Sequence, residues 1–348
     1  FFMADDMGIG DTHAYHNVSL INGSKPIKKT LLTPNLEKFA KQSMIFTDAH
    51  APASMCSSTR YSLLTGRLAH RSYLKRQGWL PHGPNRPMIQ RALTTLPEML
   101  QRNGYYTCAI GKYHVGMDFD DGHGQPADEF DFKDVDFEKP LLDGPTHHGF
   151  DEFFGVPGNT EDSLDTEPRI YIRNDKWTLT NRSKMNWGGI KHREKQILFG
   201  TNWDLSQLGP DYLKEGLQFI DRASKKKNPF FLYYVPNANH FQRNQQGDYA
   251  VPKFLDGKAV KGESRYTDGT KGGDREDMIL ENDIAFGALL RKLKETDDPR
   301  NPGNKLIKNT LIIFTSDNGP NVGDNHGTNQ ESGELRGKKA KIWEGGHR

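Results

Sequence analysis

The 348-residue sequence predicts an α/β fold, with a mostly parallel central sheet flanked by helices. Three observations carry that expectation. Short apolar runs alternate with segments of helical spacing, and the order strand, helix, strand is what builds parallel sheets. The apolar runs are continuous, as in strands covered on both faces. Polar and charged residues gather just after several of these runs, where ligands of open parallel sheets bind.

Taken in order, Phe1–Ala4 reads as a strand. Thr33-Pro34 opens a helix with Leu36, Phe39 and Ala40 on one face; threonine suits the N-cap and proline the first helical position. Met44-Ile45-Phe46 reads as a short strand. Tyr61, Leu63 and Leu64, closed by Gly66, suggest a short helix starting near Cys56. Thr95, Leu96 and Pro97 start another helix, which stops at Gly104, and Tyr105–Ile110 follows as a strand. The stretch 118–210 is rich in Asp, Gly and Pro and reads as loops and small excursions. Residues 211–224 carry Leu213, Leu217 and Ile220 at helical spacing, and Phe230–Val235 is a buried strand. Residues 275–294 form the longest helix, with Met278, Ile279, Phe286, Leu289, Leu290 and Leu293 facing the core. Thr310–Thr315 is a further buried strand. No internal repeat is visible.

The bulk properties narrow the function. The 47 basic and 45 acidic residues leave a net charge of +2, which gives no reason to expect a nucleic-acid partner. The run Lys225-Lys226-Lys227 reads as a solvated turn at a helix C-terminus, where cations are favoured. No apolar run is long enough to span a membrane. Two cysteines exclude a disulfide scaffold. Cys108 lies inside a strand pattern and reads as an inert buried thiol. The chain opens within an apolar run and stops in what reads as a loop, so 1–348 is expected to be a single domain cut at both ends.

The residues just beyond the strands are the candidate site. Asp5 and Asp6 follow the first, Gly111, Lys112 and His114 follow Tyr105–Ile110, His240 follows Phe230–Val235, and Asp317 and Asn318 follow the last. Each such turn is common by itself; their joint arrival at one sheet edge is not. Asp5, Asp6, Asp317 and Asn318 offer oxygen ligands, which suit calcium or magnesium rather than zinc. Three carboxylates together call for a cation. Cys56 and Arg60 lie in the short helix starting near Cys56, whose N-terminus would favour an anionic group. A phosphatase-type thiolate loop would place arginine at position 62, where Ser62 stands, and no thiol-protease context surrounds Cys56.

These motifs resemble the formylglycine-dependent (type I) sulfatases, arylsulfatase-like members of the alkaline phosphatase superfamily. Cys56-Ser57-Ser58-Thr59-Arg60 with Thr65-Gly66-Arg67 is similar to the family signature Cys-x-Pro-Ser-Arg followed by Thr-Gly-Arg. Met3-Ala4-Asp5-Asp6-Met7-Gly8, Gly111-Lys112-Tyr113-His114-Val115-Gly116, His148-Gly149-Phe150-Asp151 with Phe153-Phe154-Gly155, Pro229–His240, Asp317-Asn318-Gly319, and Leu335–Lys339 with Glu344-Gly345-Gly346 resemble its other landmarks, in the family's order. Two departures stand out. Ser58 and Thr59 replace the usual Pro (or Ala) and Ser, and the chain stops where the family continues into a smaller C-terminal subdomain.

The resemblance implies an alkaline phosphatase-like fold and a sulfuric ester hydrolase. Cys56 would be converted to 3-oxoalanine (formylglycine) by a maturation enzyme that reads the Pro position, here Ser58. One hydroxyl of the hydrated aldehyde would attack sulfur, and the second would let the aldehyde reform as sulfate leaves. Asp5, Asp6, Asp317 and Asn318, with the modified Cys56, would hold one calcium ion. Arg60 would stabilise the diol, Lys112 and Lys339 would bind sulfate oxygens, His114 would contact the diol, and His240 would sit at the leaving oxygen. Lys338 and Lys341 are the alternatives to Lys339. The resemblance further implies export and a sulfated small molecule or glycan as substrate, selected by loops in 118–210 and 241–275. A phosphatase or phosphodiesterase of the same superfamily is the competing reading, and a non-catalytic binder of sulfated glycans is a third.

Overall fold

The computed structural model describes residues 1–16, 29–74, 87–128, 132–160, 168–190, 193–240, 249–321 and 331–348. In chain order its elements are β1 (Phe2–Ala4), α1 (Pro34–Ala40), α2 (Cys56–Thr65), α3 (Leu96–Arg102), β2 (Tyr106–Lys112), β3 (Glu152–Val156), β4 (Ile172–Arg173), β5 (Lys176–Trp177), β6 (Met185–Ile190), β7 (Arg193–Gly200), α4 (Leu208–Ala223), β8 (Phe230–Val235), β9 (Phe254–Leu255), β10 (Lys258–Ala259), α5 (Asp274–Glu295) and β11 (Phe314–Ser316). A seven-stranded sheet runs in the order β11-β1-β8-β2-β3-β4-β5. β11, β1, β8, β2 and β3 are parallel, and β4 and β5 extend the far edge antiparallel.

Side-chain alternation along the strands divides the core between the two faces of the sheet. Phe2, Ala4, Cys108, Ile110 and Tyr234 join Leu36 of α1, Leu213, Phe219 and Ile220 of α4, and Met278, Ile279 and Phe286 of α5. Met3, Ala109, Tyr233 and Val235 join Tyr61 and Leu64 of α2, with Tyr113, Phe150 and Phe153. Strands buried on both sides explain their continuously apolar sequence. Burial pushes the Cys108 thiol up, consistent with an inert core residue. Lys225–Lys227 lie exposed just past α4, as expected of a solvated turn.

The helix starts follow their local chemistry. Thr95 Oγ1 accepts from Glu98 N at 3.2 Å and Glu98 Oε2 accepts from Thr95 N at 3.3 Å, a reciprocal cap for α3. Thr33 precedes α1, but its hydroxyl pairs with Thr12 Oγ1 at 2.7 Å rather than capping the helix.

Three expectations need correction. Met44–Phe46 forms no strand; Met44 is 79% and Phe46 63% exposed, and only Ile45 between them is half-buried. A short apolar run without a packing partner has no reason to become a strand. The last strand is shorter than Thr310–Thr315 and shifted to Phe314–Ser316. Residues 118–210 hold more order than loops: β3 is a member of the central sheet, and β6 and β7 form an antiparallel pair.

Candidate active site

The site is assembled at the C-terminal ends of β1, β2, β8 and β11. β1 and β11 run in register, Ala4 opposite Ser316, so the residues that follow them emerge side by side. Asp317 N donates to Ala4 O at 3.1 Å, and Asp6 N donates back to Asp317 Oδ1 at 3.3 Å. Asn318 Nδ2 donates to Asp6 Oδ1 at 2.7 Å. Asp5, Asp6, Asp317 and Asn318 are all at most 2% exposed.

α2 brings two further candidates to the same place. Cys56 is its first residue, and Arg60, four positions on, lies over the same face. Cys56 Sγ lies 3.6 Å from Asp5 Oδ1. Arg60 Nε and Nη2 donate to Asp317 Oδ2 at 3.1 and 2.9 Å, Nη2 also reaches Asp5 Oδ2 at 3.3 Å, and Nη1 donates to Lys112 O at 2.6 Å.

β2 ends on Lys112, whose Nζ is 2.7 Å from Asp5 Oδ2. Gly111 before it has φ 111°, and a Cβ there would lie 2.1 Å from Val235 O, so glycine is what lets the adjacent strand pass. His114, 2% exposed and at φ 54°, is tied by its backbone N–H to Pro157 O at 2.6 Å. Beyond β8, His240 Nε2 stands 3.8 Å from Asp6 Oδ2. The chain's last segment folds back over the site: Lys339 N donates to Pro320 O and Ala340 N to Ser54 O, at 3.0 and 2.8 Å. Lys339 Nζ thereby reaches Asp6 Oδ1 and Oδ2 at 2.7 and 2.8 Å. Of the three lysines considered for that role, Lys339 is buried whereas Lys341 is exposed.

The carboxylates, the three cations, Cys56, Asn318 and His240 thus form one linked cluster, with His114 placed beside it two residues after Lys112. Asn239 was missed in sequence. Its Nδ2 donates to Asp6 O at 2.8 Å and Asp5 O at 3.3 Å. The adjacent His240 was its one sequence signal. Of the loops 118–210 and 241–275 expected to select the substrate, residues 129–131, 161–167, 191–192 and 241–248 lie outside the described residues.

The electrostatics follow from dense charge without water. Burial would raise the Asp5 carboxyl, but Lys112, His240, Arg60 and Lys339 hold it well below the usual carboxylate range. Burial and then the Asp5 carboxylate push Asp317 up to about 6, against the pull of Arg60. Burial opposes the charge on Lys112 and Lys339; their aspartate partners nevertheless raise both above the usual lysine value.

Asp5, Asp6, Cys56 and His240 each present an atom within 4.8 Å of the others, a spacing at which a metal ion could be held. The oxygens fit a hard cation: carboxylates crowd the site, and Asn318 Oδ1 is buried with no hydrogen-bond partner among the described residues. A buried amide oxygen in that condition costs about 1–3 kcal/mol unless something binds it. His240, expected at the leaving group, also lies within reach of this set.

Comparison with known proteins gives a consistent picture. A family model described as Sulfatase matches residues 1–348. N-acetylgalactosamine-6-sulfatase of Rattus norvegicus is 29% identical over 354 residues, covering 99% of this chain and 54% of that protein. Arylsulfatase G of Homo sapiens is 29% identical over 371 residues, covering 99% of this chain and 57% of that protein. The chain therefore spans little more than half the length of these curated relatives. Among solved structures, a protein from work on glycosaminoglycan metabolism by Bacteroides thetaiotaomicron superposes with a TM-score of 0.71 at 22% identity, over 100% of this chain and 69% of that one. A sulfatase from Pseudoalteromonas sp. superposes with a TM-score of 0.59 at 24% identity, over 100% of this chain and 60% of that one.

Proposed function

Because the chain belongs to the sulfatase family, we propose that it hydrolyses sulfate esters, of a sulfated carbohydrate or an aryl sulfate, at the cluster around Cys56. One observation carries the reading. Cys56 Sγ lies 3.6 Å from the buried Asp5 carboxylate, at the start of α2, while Arg60, Lys112 and Lys339 converge on Asp5, Asp6 and Asp317. That arrangement pairs one potential nucleophile with carboxylates for a cation and with lysines for an oxyanion.

In this reading Asp5, Asp6, Asp317 and Asn318 hold a calcium ion together with residue 56. Calcium supplies Lewis-acid polarisation of the sulfate oxygens and favours ionisation of the nucleophilic hydroxyl. Converted to 3-oxoalanine and hydrated, residue 56 supplies an oxygen nucleophile and a second hydroxyl through which sulfate is released. Arg60, clamped by Asp317, fixes the start of α2 against the carboxylates. Lys112 and Lys339 reach the site as compact cations suited to sulfate oxygens. His240, 3.8 Å from Asp6 Oδ2, would give a proton to the departing alcohol, and His114 would take one from residue 56. The burial of Lys112 and Lys339 excludes water and strengthens their hold on an anion.

Cys56 is 2% exposed, so an enzyme that converts it must reach it before the chain folds. Export from the cytosol and a partner maturation enzyme belong to the same proposal. The names of the relatives, for a sulfated amino sugar and for aryl sulfates, support the substrate class.

The test is co-expression with a maturation enzyme, mass spectrometry of the tryptic peptide carrying Cys56, and assay of sulfate release from defined sulfated sugars and aryl sulfates. An aldehyde at position 56 in the active fraction is expected. Turnover by protein carrying unmodified thiol, or release of phosphate but not sulfate from matched esters, would reject the reading.

A further inference from the structure

We infer that Asn239, which the proposed reaction does not use, is a positioning residue that fixes the ion-binding turn Asp5–Asp6 to the loop bearing His240. The inference rests on the reading of that turn as part of a calcium site.

The loop Pro236–His240 leaves β8 and is held by amide side chains at successive residues. Asn237 Nδ2 donates to Gly158 O and Thr160 Oγ1, both at 3.2 Å, and its Oδ1 accepts from Tyr212 at 3.1 Å. Asn282 of α5 donates to Ala238 O at 3.4 Å. Asn239 points the other way, across the sheet edge, and donates to the carbonyls of both Asp5 and Asp6. It therefore bridges two C-terminal strand ends whose next side chains, His240 and the aspartates, meet in the cluster.

Both ends of this bridge are conformationally demanding. Asn239 has φ 79° and Asp6 has φ 52°, the left-handed region. Asparagine enters that region more readily than most residues. Asn239 is 4% exposed, so its amide is not a surface hydrogen bond that water would replace. A left-handed turn at Asp6 turns two consecutive carbonyls toward one neighbouring donor, and a single amide N–H₂ can serve both. Without it those carbonyls would be buried and the turn free to relax, carrying the Asp5 and Asp6 carboxylates away from Asp317, Asn318 and His240.

The experiment measures calcium directly. Asn239→Gly keeps access to positive φ and deletes the amide. Asn239→Asp keeps the shape and the tolerance for positive φ but, ionised, cannot donate. Calcium affinity is read by isothermal titration of the full chain, and the calcium-induced rise in Tm by calorimetry. Calcium Kd is expected to weaken by about tenfold or more in both variants, the usual scale for partners that orient metal ligands, with a smaller calcium-induced rise in Tm. A role in folding alone would lower Tm equally with and without calcium and leave Kd unchanged. Wild-type or tighter Kd in either folded variant overturns the inference. Absence of calcium binding by the wild type would overturn the ion site itself and this inference with it, so the two failures are distinguishable.

Discussion

Arg60 determines the charge balance of the site, and its removal has a calculable cost. Asp5, Asp6 and Asp317 bring three negative charges into a space that is essentially unexposed, and Arg60, Lys112 and Lys339 bring three positive ones. Arg60 is itself 0% exposed and makes hydrogen bonds to Asp317, Asp5 and the carbonyl of Lys112. Arg60→Met keeps much of the volume and removes those donors with the charge. Breaking a buried ion pair from one side costs about 3–5 kcal/mol. A Coulomb estimate agrees: a unit pair at about 4 Å with an effective dielectric constant of about 20 is worth about 4 kcal/mol. Urea unfolding of the full chain in a chelator should therefore show a loss of about 4 kcal/mol. Calcium should then stabilise the variant more than it stabilises the wild type, because the ion meets a carboxylate set with one cation fewer. Sulfate-ester turnover should fall with it. A loss below about 1 kcal/mol in chelator, or a smaller calcium effect in the variant than in the wild type, would refute the charge-balance argument.

Cys56→Ser should permit at most one sulfation of the enzyme without turnover, since serine lacks the second hydroxyl, whereas Cys108→Ser should stay active; burst kinetics separates the two. Glu281, 3% exposed on α5 with Oε2 lacking a hydrogen-bond partner among the described residues, is pushed up by burial to about 8. A raised carboxyl pKa favours folding at low pH, so stability should fall as pH rises from about 4.5 to 8. Glu281→Gln should remove that decline, by about 3 kcal/mol at pH 7 from the linkage relation, and denaturation at pH 5 and pH 8 checks it. Leu311 is 84% exposed beside the outer edge of the sheet, where β11 has β1 on one side. Leu311→Lys should lower self-association measured by light scattering, because charged edges resist strand pairing.

What could be read from sequence follows from where the information lies. β1, β2 and β8 announce themselves because burial on both faces demands unbroken apolar residues, as in Phe230–Val235. α3 was legible from Thr95, Pro97 and Gly104 because caps act within a few residues. β3 was not read as a strand because its short run Phe153-Phe154 is flanked by Glu152 and Gly155; its place depends on β2, whose Cys108–Lys112 pair with it. Gly155 is required there: a Cβ would lie 1.9 Å from Gly111 O. The candidate ligands were legible as polar residues after strands, a position with meaning in any parallel sheet. Asn239 was not, because its partners are more than 230 positions away and its one local mark, the adjacent His240, does not point to them.

Backbone conformation adds a separate reason to regard the cluster as the working part of the molecule. Among the described residues, positive φ occurs at the non-glycine positions Asp6, His114, Asn174, Asn239, Asp256 and Ala340. Asn174 and Asp256 sit in the tight connections β4–β5 and β9–β10, where such residues are at home. The other four belong to the cluster or adjoin it. Ala340 has no special tolerance for this region, where a left-handed conformation costs about 1–2 kcal/mol; histidine enters it more often than most residues, yet His114 too is held away from the commoner conformations. That cost persists only where surrounding bonds over-determine the backbone. Here they do: Ala340 N is held by Ser54 O, and His114 N by Pro157 O. Each strained residue neighbours a side chain aimed at the carboxylates, Lys339 in one case and Lys112 in the other. The strain is thus concentrated where the chain must leave a regular element abruptly to deliver a charge to a fixed point, which a relaxed turn at the same position would not do.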